Sequence, residues 1–165
     1  MTDADLTSLA MKVAARLGAG GRQLVTAESC TGGWIGKVLT DIPGSSAWYL
    51  GGVVSYSNSL KQALLGVSPS TLGQHGAVSE QTAREMAQGA LERLGGQVAL
   101  AVTGIAGPDG GLPDKPVGTV WFAWVWRVAG RIESCVAREV FAGDRAAVRR
   151  QTVAYALEGL LERDG

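Results

Sequence analysis

The chain's 165 residues, 46% hydrophobic and 18% charged, suit one globular domain spanning 1–165 and exclude a disordered chain. Fifteen Lys and Arg balance fifteen Asp and Glu, which leaves no electrostatic footprint for nucleic acid or a membrane surface, and no apolar run reaches the ~20 residues that span a bilayer. Two distant cysteines, Cys30 and Cys135, and one histidine, His75, supply neither a disulfide framework nor a usual zinc ligand set, so no metal is expected.

The chain opens without a basic, apolar leader, and a cytoplasmic protein with free thiols is the expectation. Leu6, Leu9, Ala10, Val13, Ala14 and Leu17 recur at helical spacing behind a Thr2-to-Asp5 capping pattern, and "GAGG" stops this first helix. "RQLVTAE" reads as a short strand. After "SCTGG" a helix carries Trp34, Ile35, Val38 and Leu39 on one side and ends near Asp41. "AWYLGGVVSYS" is strand-like, its glycine pair marking a bulge or a close backbone approach.

Asn58 is placed to cap the short helix "SLKQALLG". Another short helical turn lies in "SPSTLGQHG", and His75, in "GQHGAVS", is expected in a loop as a hydrogen-bonded structural residue. Ser79 opens a longer helix with Ala83, Met86, Ala87, Ala90, Leu91 and Leu94 inward. "QVALAVT", apolar on both faces, predicts a buried, parallel central strand. "GTVWFAWVWRV" and "RIESCVAREVF", joined at Ala129 and Gly130, predict a hairpin, and a last helix starts near Asp144. The Trp-rich strand at 121–126 reads as core or as an interaction surface. The alternation predicts a three-layer α/β/α sandwich with a mixed, mostly parallel central sheet and a late β-hairpin.

In open α/β sheets, ligands bind beyond the carboxyl ends of the strands. That rule brings three clusters to one rim: Glu28 and Ser29 after "LVTAE", Tyr56 and Lys61 after "VVSYS", and Thr103 with its glycine loop after "ALAVT". Ser29 or Thr31 can simply cap the following helix. The same turn also suits a nucleophile, with backbone N–H groups of Cys30, Thr31 and Gly32 available to an oxyanion.

Lys61, one of four lysines, can serve as base if its pKa falls, and a helix start and burial both push it that way. Tyr56 could pass a proton or orient the amine. Cys30 is a rival nucleophile or a small buried thiol. "TGIAGPDGG", with Gly104 and Gly107, is a phosphate cradle or a long surface turn. Arg145 and Arg149 share a helix-start face, where they hold a phosphate or pair with carboxylates.

The stretches "TAESCTGGWIGKVLTDIPGSSAW", "VVSYSNSLKQALLGV", "QHGAVSEQTAREMA", "TGIAGPDGG", "KPVGTVWFA" and "FAGDRAAVRRQTVAYAL" together resemble the CinA carboxy-terminal family, in order and across nearly the whole chain. Some members carry a further amino-terminal domain; this chain resembles the stand-alone amidase form. The resemblance implies hydrolysis of the carboxamide of nicotinamide mononucleotide to nicotinic acid mononucleotide and ammonia, within pyridine nucleotide recycling and without metal or organic cofactor.

It further implies Ser29 as nucleophile, Lys61 as general base and Tyr56 assisting proton transfer. Ser46, in "GSSAW", and Thr103 would line the site. Arg145 would meet the substrate phosphate, with Arg149 a weaker match to that role. A homo-oligomer is the expected assembly. The competing readings are a non-catalytic nucleotide-binding or regulatory module and an interaction domain.

Overall fold

A computed structural model describes residues 1–163. In chain order the elements are α1 (Asp3–Gly20), β1 (Leu24–Glu28), α2 (Trp34–Thr40), a 3₁₀ turn (Ser45–Ala47), β2 (Tyr49–Val54), α3 (Asn58–Leu65), α4 (Pro69–His75), α5 (Glu80–Leu94), β3 (Val98–Gly104), β4 (Thr119–Val128), β5 (Arg131–Val140) and α6 (Arg145–Arg163). Among the described residues, no helix is long and apolar enough to cross a membrane.

The helix ends follow local chemistry. Thr2 and Asp5 form a reciprocal capping box on α1, and Gly21, at φ 61°, closes that helix in the left-handed conformation an L side chain resists. Ser79 caps α5 by accepting from the Thr82 N–H. The cap of α3 is Ser57 rather than the expected Asn58: the Ser57 backbone is extended and its Oγ accepts from the Leu60 N–H at 3.2 Å. Asn58 becomes the first helical residue.

The five strands form one sheet in the order β2-β1-β3-β4-β5. β2 and β3 each pair parallel with β1, and the β3/β4 and β4/β5 ladders are antiparallel, so only β4 runs against the others. Ala129 and Gly130, both at positive φ, turn the β4–β5 hairpin with the twist that two-residue loops favour. The three-layer sandwich expected from the sequence is the fold observed.

Alternation along the strands sorts the core into two layers. Leu24, Val98, Leu100, Val102, Phe122 and Trp124 face α1, α2 and α6. Val25, Ala27, Ala99, Ala101 and Ala123 face α3 and α5. The second layer is thin because both its sides are small: alanines on the strands meet Ala83, Ala87 and Ala90 of α5. Gly89 lets the end of α3 lie directly on α5, since a Cβ there would fall 1.8 Å from the Leu65 carbonyl oxygen.

The Trp-rich strand is core, which overturns its reading as an interaction surface. Trp124 is fully buried, stacks on Phe122 with ring centroids 5.8 Å apart and donates from Nε1 to the Ala156 carbonyl. Gly159 of α6 makes room for that ring. Losing a buried indole of this kind costs about 3–5 kcal/mol.

The crossover from β1 to β2 uses α2 on one face, and that from β2 to β3 uses α3–α5 on the other. The chain therefore leaves β1 and β2 toward opposite faces of the sheet, and a crevice opens beyond the carboxyl ends of the parallel strands.

Candidate active site

Into that crevice the strands deliver what the sequence rule anticipated. The Ser29 N–H continues the ladder by donating to Val102 O, and the Ser55 N–H donates to Glu28 O at 2.9 Å. The three strand ends are thus laced together just where Ser29, Ser55 and Thr103 emerge. A cleft of about 290 Å³ lies above them, close to the size usual for small-ligand sites. Ser29, Cys30, Tyr56, Lys61, Thr103, Gly104, Gly107 and Arg145 all line it, joined by Asn58, Ala77, Val78, Ile105, Ala106 and Asp109.

At its floor, Lys61 Nζ lies 2.9 Å from Ser29 Oγ, although the two residues are 32 positions apart. The amine also donates to Ser55 O at 2.7 Å and to Tyr56 O at 3.3 Å. Two carbonyls thus occupy two of its N–H groups and aim its third position at the serine. Lys61 is 1% exposed, well beyond the partial burial the sequence suggested, and its partners are neutral. Burial therefore lowers its pKa from 10.5 to about 8. A useful share of the amine is uncharged near neutrality, when its lone pair can accept the serine proton.

Cys30 is the buried thiol, not a rival nucleophile. Desolvation, helped by the nearby Glu28 carboxylate, pushes its pKa up to about 12. Tyr56 contributes differently from the expected proton relay. Its carbonyl holds Lys61, but its phenol oxygen accepts from Arg145 Nη2 at 3.1 Å and not from the amine or the serine. Arg145 also donates to Gly107 O at 2.8 Å, so its guanidinium bridges the mouth of the cleft. Thr103 donates to Ala77 O at 2.8 Å and ties the α4–α5 connection to the sheet edge.

Four expected site residues stand behind the cleft wall. Glu28, 2% exposed, accepts from Thr31 Oγ1 at 2.6 Å and from the backbone N–H groups of Ile35 and Gly36 at 2.9 and 3.0 Å. It is the helix cap that Ser29 and Thr31 were expected to supply, reaching over a turn closed by Gly32 and Gly33 at positive φ. Thr31 is fully buried and serves this carboxylate.

The Gly32 N–H is not available to a ligand, since it donates to Ser29 O at 3.0 Å. Among the described residues, the N–H groups of Cys30 and Thr31 meet no main-chain acceptor, and of the two residues only Cys30 lines the cleft. Arg149 does not reach the cleft. It donates from Nε to Cys30 O and from Nη2 to Thr31 O, both at 3.0 Å. Among the described residues, neither Arg145 nor Arg149 pairs with a carboxylate; main-chain carbonyls take that place.

Two expectations fail outright. Ser46 lies in the exposed 3₁₀ turn that precedes β2, at the opposite edge of the sheet from the cleft. His75 closes helix α4 instead of sitting in a loop, and it is exposed; its carbonyl, not its ring, accepts a hydrogen bond from Lys115. Sequence reasoning also missed Ser55, which offers the amine its shortest contact. A main-chain carbonyl has no side-chain signature, and only its place one residue past the strand could have pointed to it.

Comparison with known proteins places the chain in a family and matches its fold. The CinA C-terminal domain family matches residues 6–163. The chain is 53% identical over 163 residues to the nicotinamide-nucleotide amidohydrolase PncC of Escherichia coli (strain K12), covering 99% of this chain and 97% of that protein. It is 50% identical to the Pseudomonas putida protein of the same name, covering 95% and 96%. Among solved structures, the competence/damage inducible protein CihA of Agrobacterium tumefaciens superposes with a TM-score of 0.90 at 43% identity, covering 98% of this chain and 96% of that one.

Proposed function

The chain belongs to the CinA C-terminal domain family, and from that premise we propose that it is a nicotinamide-nucleotide amidohydrolase. Its substrate is nicotinamide mononucleotide, and its products are nicotinic acid mononucleotide and ammonia. The observation that carries the reading is the contact between Lys61 Nζ and Ser29 Oγ at 2.9 Å, inside a cleft of ligand size.

Neutral Lys61 takes the hydroxyl proton as Ser29 Oγ bonds to the carboxamide carbon, and the carbonyl π pair moves onto oxygen. The N–H of Cys30, the residue after the nucleophile and part of the cleft lining, receives that charge. The tetrahedral species collapses, the C–N bond breaks, and Lys61 returns its proton to the departing nitrogen, which leaves as ammonia. Water then enters, gives a proton to Lys61 and bonds to the acyl carbon. The Ser29 Oγ–C bond breaks and the serine recovers its proton from the lysine. Arg145 takes the substrate phosphate at the mouth, exchanging Gly107 O and the Tyr56 hydroxyl for a charged partner. Binding energy gained there holds the carboxamide over the serine.

The test is ammonia release from nicotinamide mononucleotide as a function of pH. Because the active form of Lys61 is the uncharged amine, kcat/KM should rise about tenfold per pH unit below about 8 and level off above it. Saturable binding of the nucleotide with no ammonia released anywhere between about pH 6 and 10 would replace this reading with a nucleotide-binding module.

A further inference from the structure

We propose that the open sheet edge at β2, with the outer stripe of α3 beside it, is the surface on which a second copy of this chain docks. The two sheets join through an antiparallel β2–β2 pair.

An open sheet has two edges, and this sequence treats them in opposite ways. At the β5 edge stand Arg131, Glu133, Arg138 and Glu139. Charged side chains along an edge strand deter a further strand from adding to it. At the other edge, β2 pairs only with β1 among the described residues and carries no charged side chain. Its Leu50 and Val54 are 46% and 44% exposed. Near the middle of the strand a Cβ at Gly51 would meet nothing within 4 Å, so another backbone can come close there.

The lack of charge extends beyond the strand. Between Asp41 and Glu80 the sole Asp, Glu, Lys or Arg is Lys61, in a chain with 15 basic and 15 acidic residues. Lys61 itself is buried. That stretch builds the 3₁₀ turn, β2, α3 and α4. Leu65 of α3 packs in the same core layer as Val53 of β2, so helix and strand flank one another. Leu60 and Leu64, one turn apart on α3, are 41% and 43% exposed, while Lys61 and Leu65 on the adjoining stripe face inward. A surface both apolar and free of charge has the composition of an interface core.

Symmetry and charge together name the occupant. A two-fold axis beside an edge strand sets that strand antiparallel to its own copy, and the outward N–H and C=O groups of both are satisfied. The same axis confronts the surface with itself. A charged edge would repel its copy; this one does not. Choosing a partner of different sequence relies on complementary charges, and this surface has none to offer.

The test reads mass in solution by light scattering, over about 1 to 100 μM, and hydrogen exchange of the β2 amides. Wild type should run at twice 17.1 kDa, with the outward β2 amides protected. Leu50→Lys, and separately Leu60→Lys with Leu64→Lys, should each raise the dissociation constant at least about 100-fold and release those amides to exchange. Ile132→Lys and Val140→Lys are the controls: 43% and 50% exposed on the β5 edge, they should leave the dimer intact.

Wild type at 17.1 kDa across that range overturns the proposal and leaves the edge to a partner of different sequence. A larger ring overturns it too, since one edge shared about a two-fold axis closes at two copies. So does a dimer that the β5 substitutions break and the β2 and α3 substitutions spare. Should the charged variants fail to fold, exchange in wild type decides, and a dimer whose β2 amides exchange as fast as a free chain overturns it. Ammonia release has no part in these measurements, so this surface and the amidohydrolase reading can each fail alone.

Discussion

Ammonia release from nicotinamide mononucleotide should fall by at least about 10³-fold in Ser29→Ala and in Lys61→Met, with nucleotide binding retained in both. Each substitution removes one half of a single contact, so the double variant should be no slower than either single one. Lys61→Arg should be equally inactive, because a guanidinium keeps its proton throughout the accessible pH range. Cys30→Ala should keep most of the wild-type rate, since that thiol is buried and protonated. Calorimetric titration with the nucleotide separates lost chemistry from lost binding. Undiminished release from the Ser29→Ala protein would remove the serine mechanism, and release lost only in Cys30→Ala would transfer the role to sulfur.

Gly89→Ala should lose about 3 kcal/mol of stability and most of its activity. Alanine is the better helix former by about 1 kcal/mol, so propensity alone predicts a gain inside α5. Packing reverses the sign. The new Cβ would meet the carbonyl oxygen, carbon and Cα of Leu65 at 1.8, 2.8 and 3.2 Å, and backbone at a helix end cannot rotate aside as a flexible side chain does. Helix α3 must lift by more than an ångström. Lys61 rides on that helix one turn before Leu65 and on the same buried face, so the amine would leave hydrogen-bonding range of Ser29.

Gly18→Ala is the control, since nothing lies within 4 Å of its added carbon; there the propensity gain of up to about 1 kcal/mol should appear as a raised Tm. Thermal unfolding and ammonia release measured on both variants check the pair. A Gly89→Ala protein as stable and as active as wild type would contradict the packing of α3 on α5.

The sheet and its covering helices were legible because apolar periodicity records which faces are buried. Val98, Leu100 and Val102 alternate with Ala99 and Ala101, and both sets proved to be core, each under a different helical layer. Strand direction brought the Ser29 and Tyr56–Lys61 clusters to one rim, and the need of a serine for a base, with the family resemblance, singled out Lys61 as its partner.

What stayed hidden depends on backbone atoms. Ser55 O and Tyr56 O orient the amine, and Cys30 O and Thr31 O receive Arg149; none of these acceptors has a residue type that betrays it. The choice between Ser57 and Asn58 as cap is invisible for a related reason. Both side chains suit the position, and the extended backbone of Ser57 decides. Ser46 shows what motif similarity leaves out. It stands only ten residues before Tyr56, yet a whole strand separates them and carries one to each end of the sheet.

Keeping an amine dry beneath the cleft has a cost that grows as the medium becomes more acidic. On unfolding, Lys61 regains its ordinary affinity for protons, with a pKa of 10.5, against about 8 when folded. Between those two values the denatured chain binds a proton that the native one does not, so native stability must climb as alkalinity increases across that window, and below about pH 8 the full deficit persists. The gap corresponds to up to about 3 kcal/mol, less whatever screening reaches the amine through the open mouth. In denaturant titrations from about pH 7 to 10.5, the stability of wild type relative to Lys61→Met should hold level up to about pH 8 and then shift toward wild type as the pH rises. Parallel curves would mean that its amine titrates no differently in the native and denatured chains.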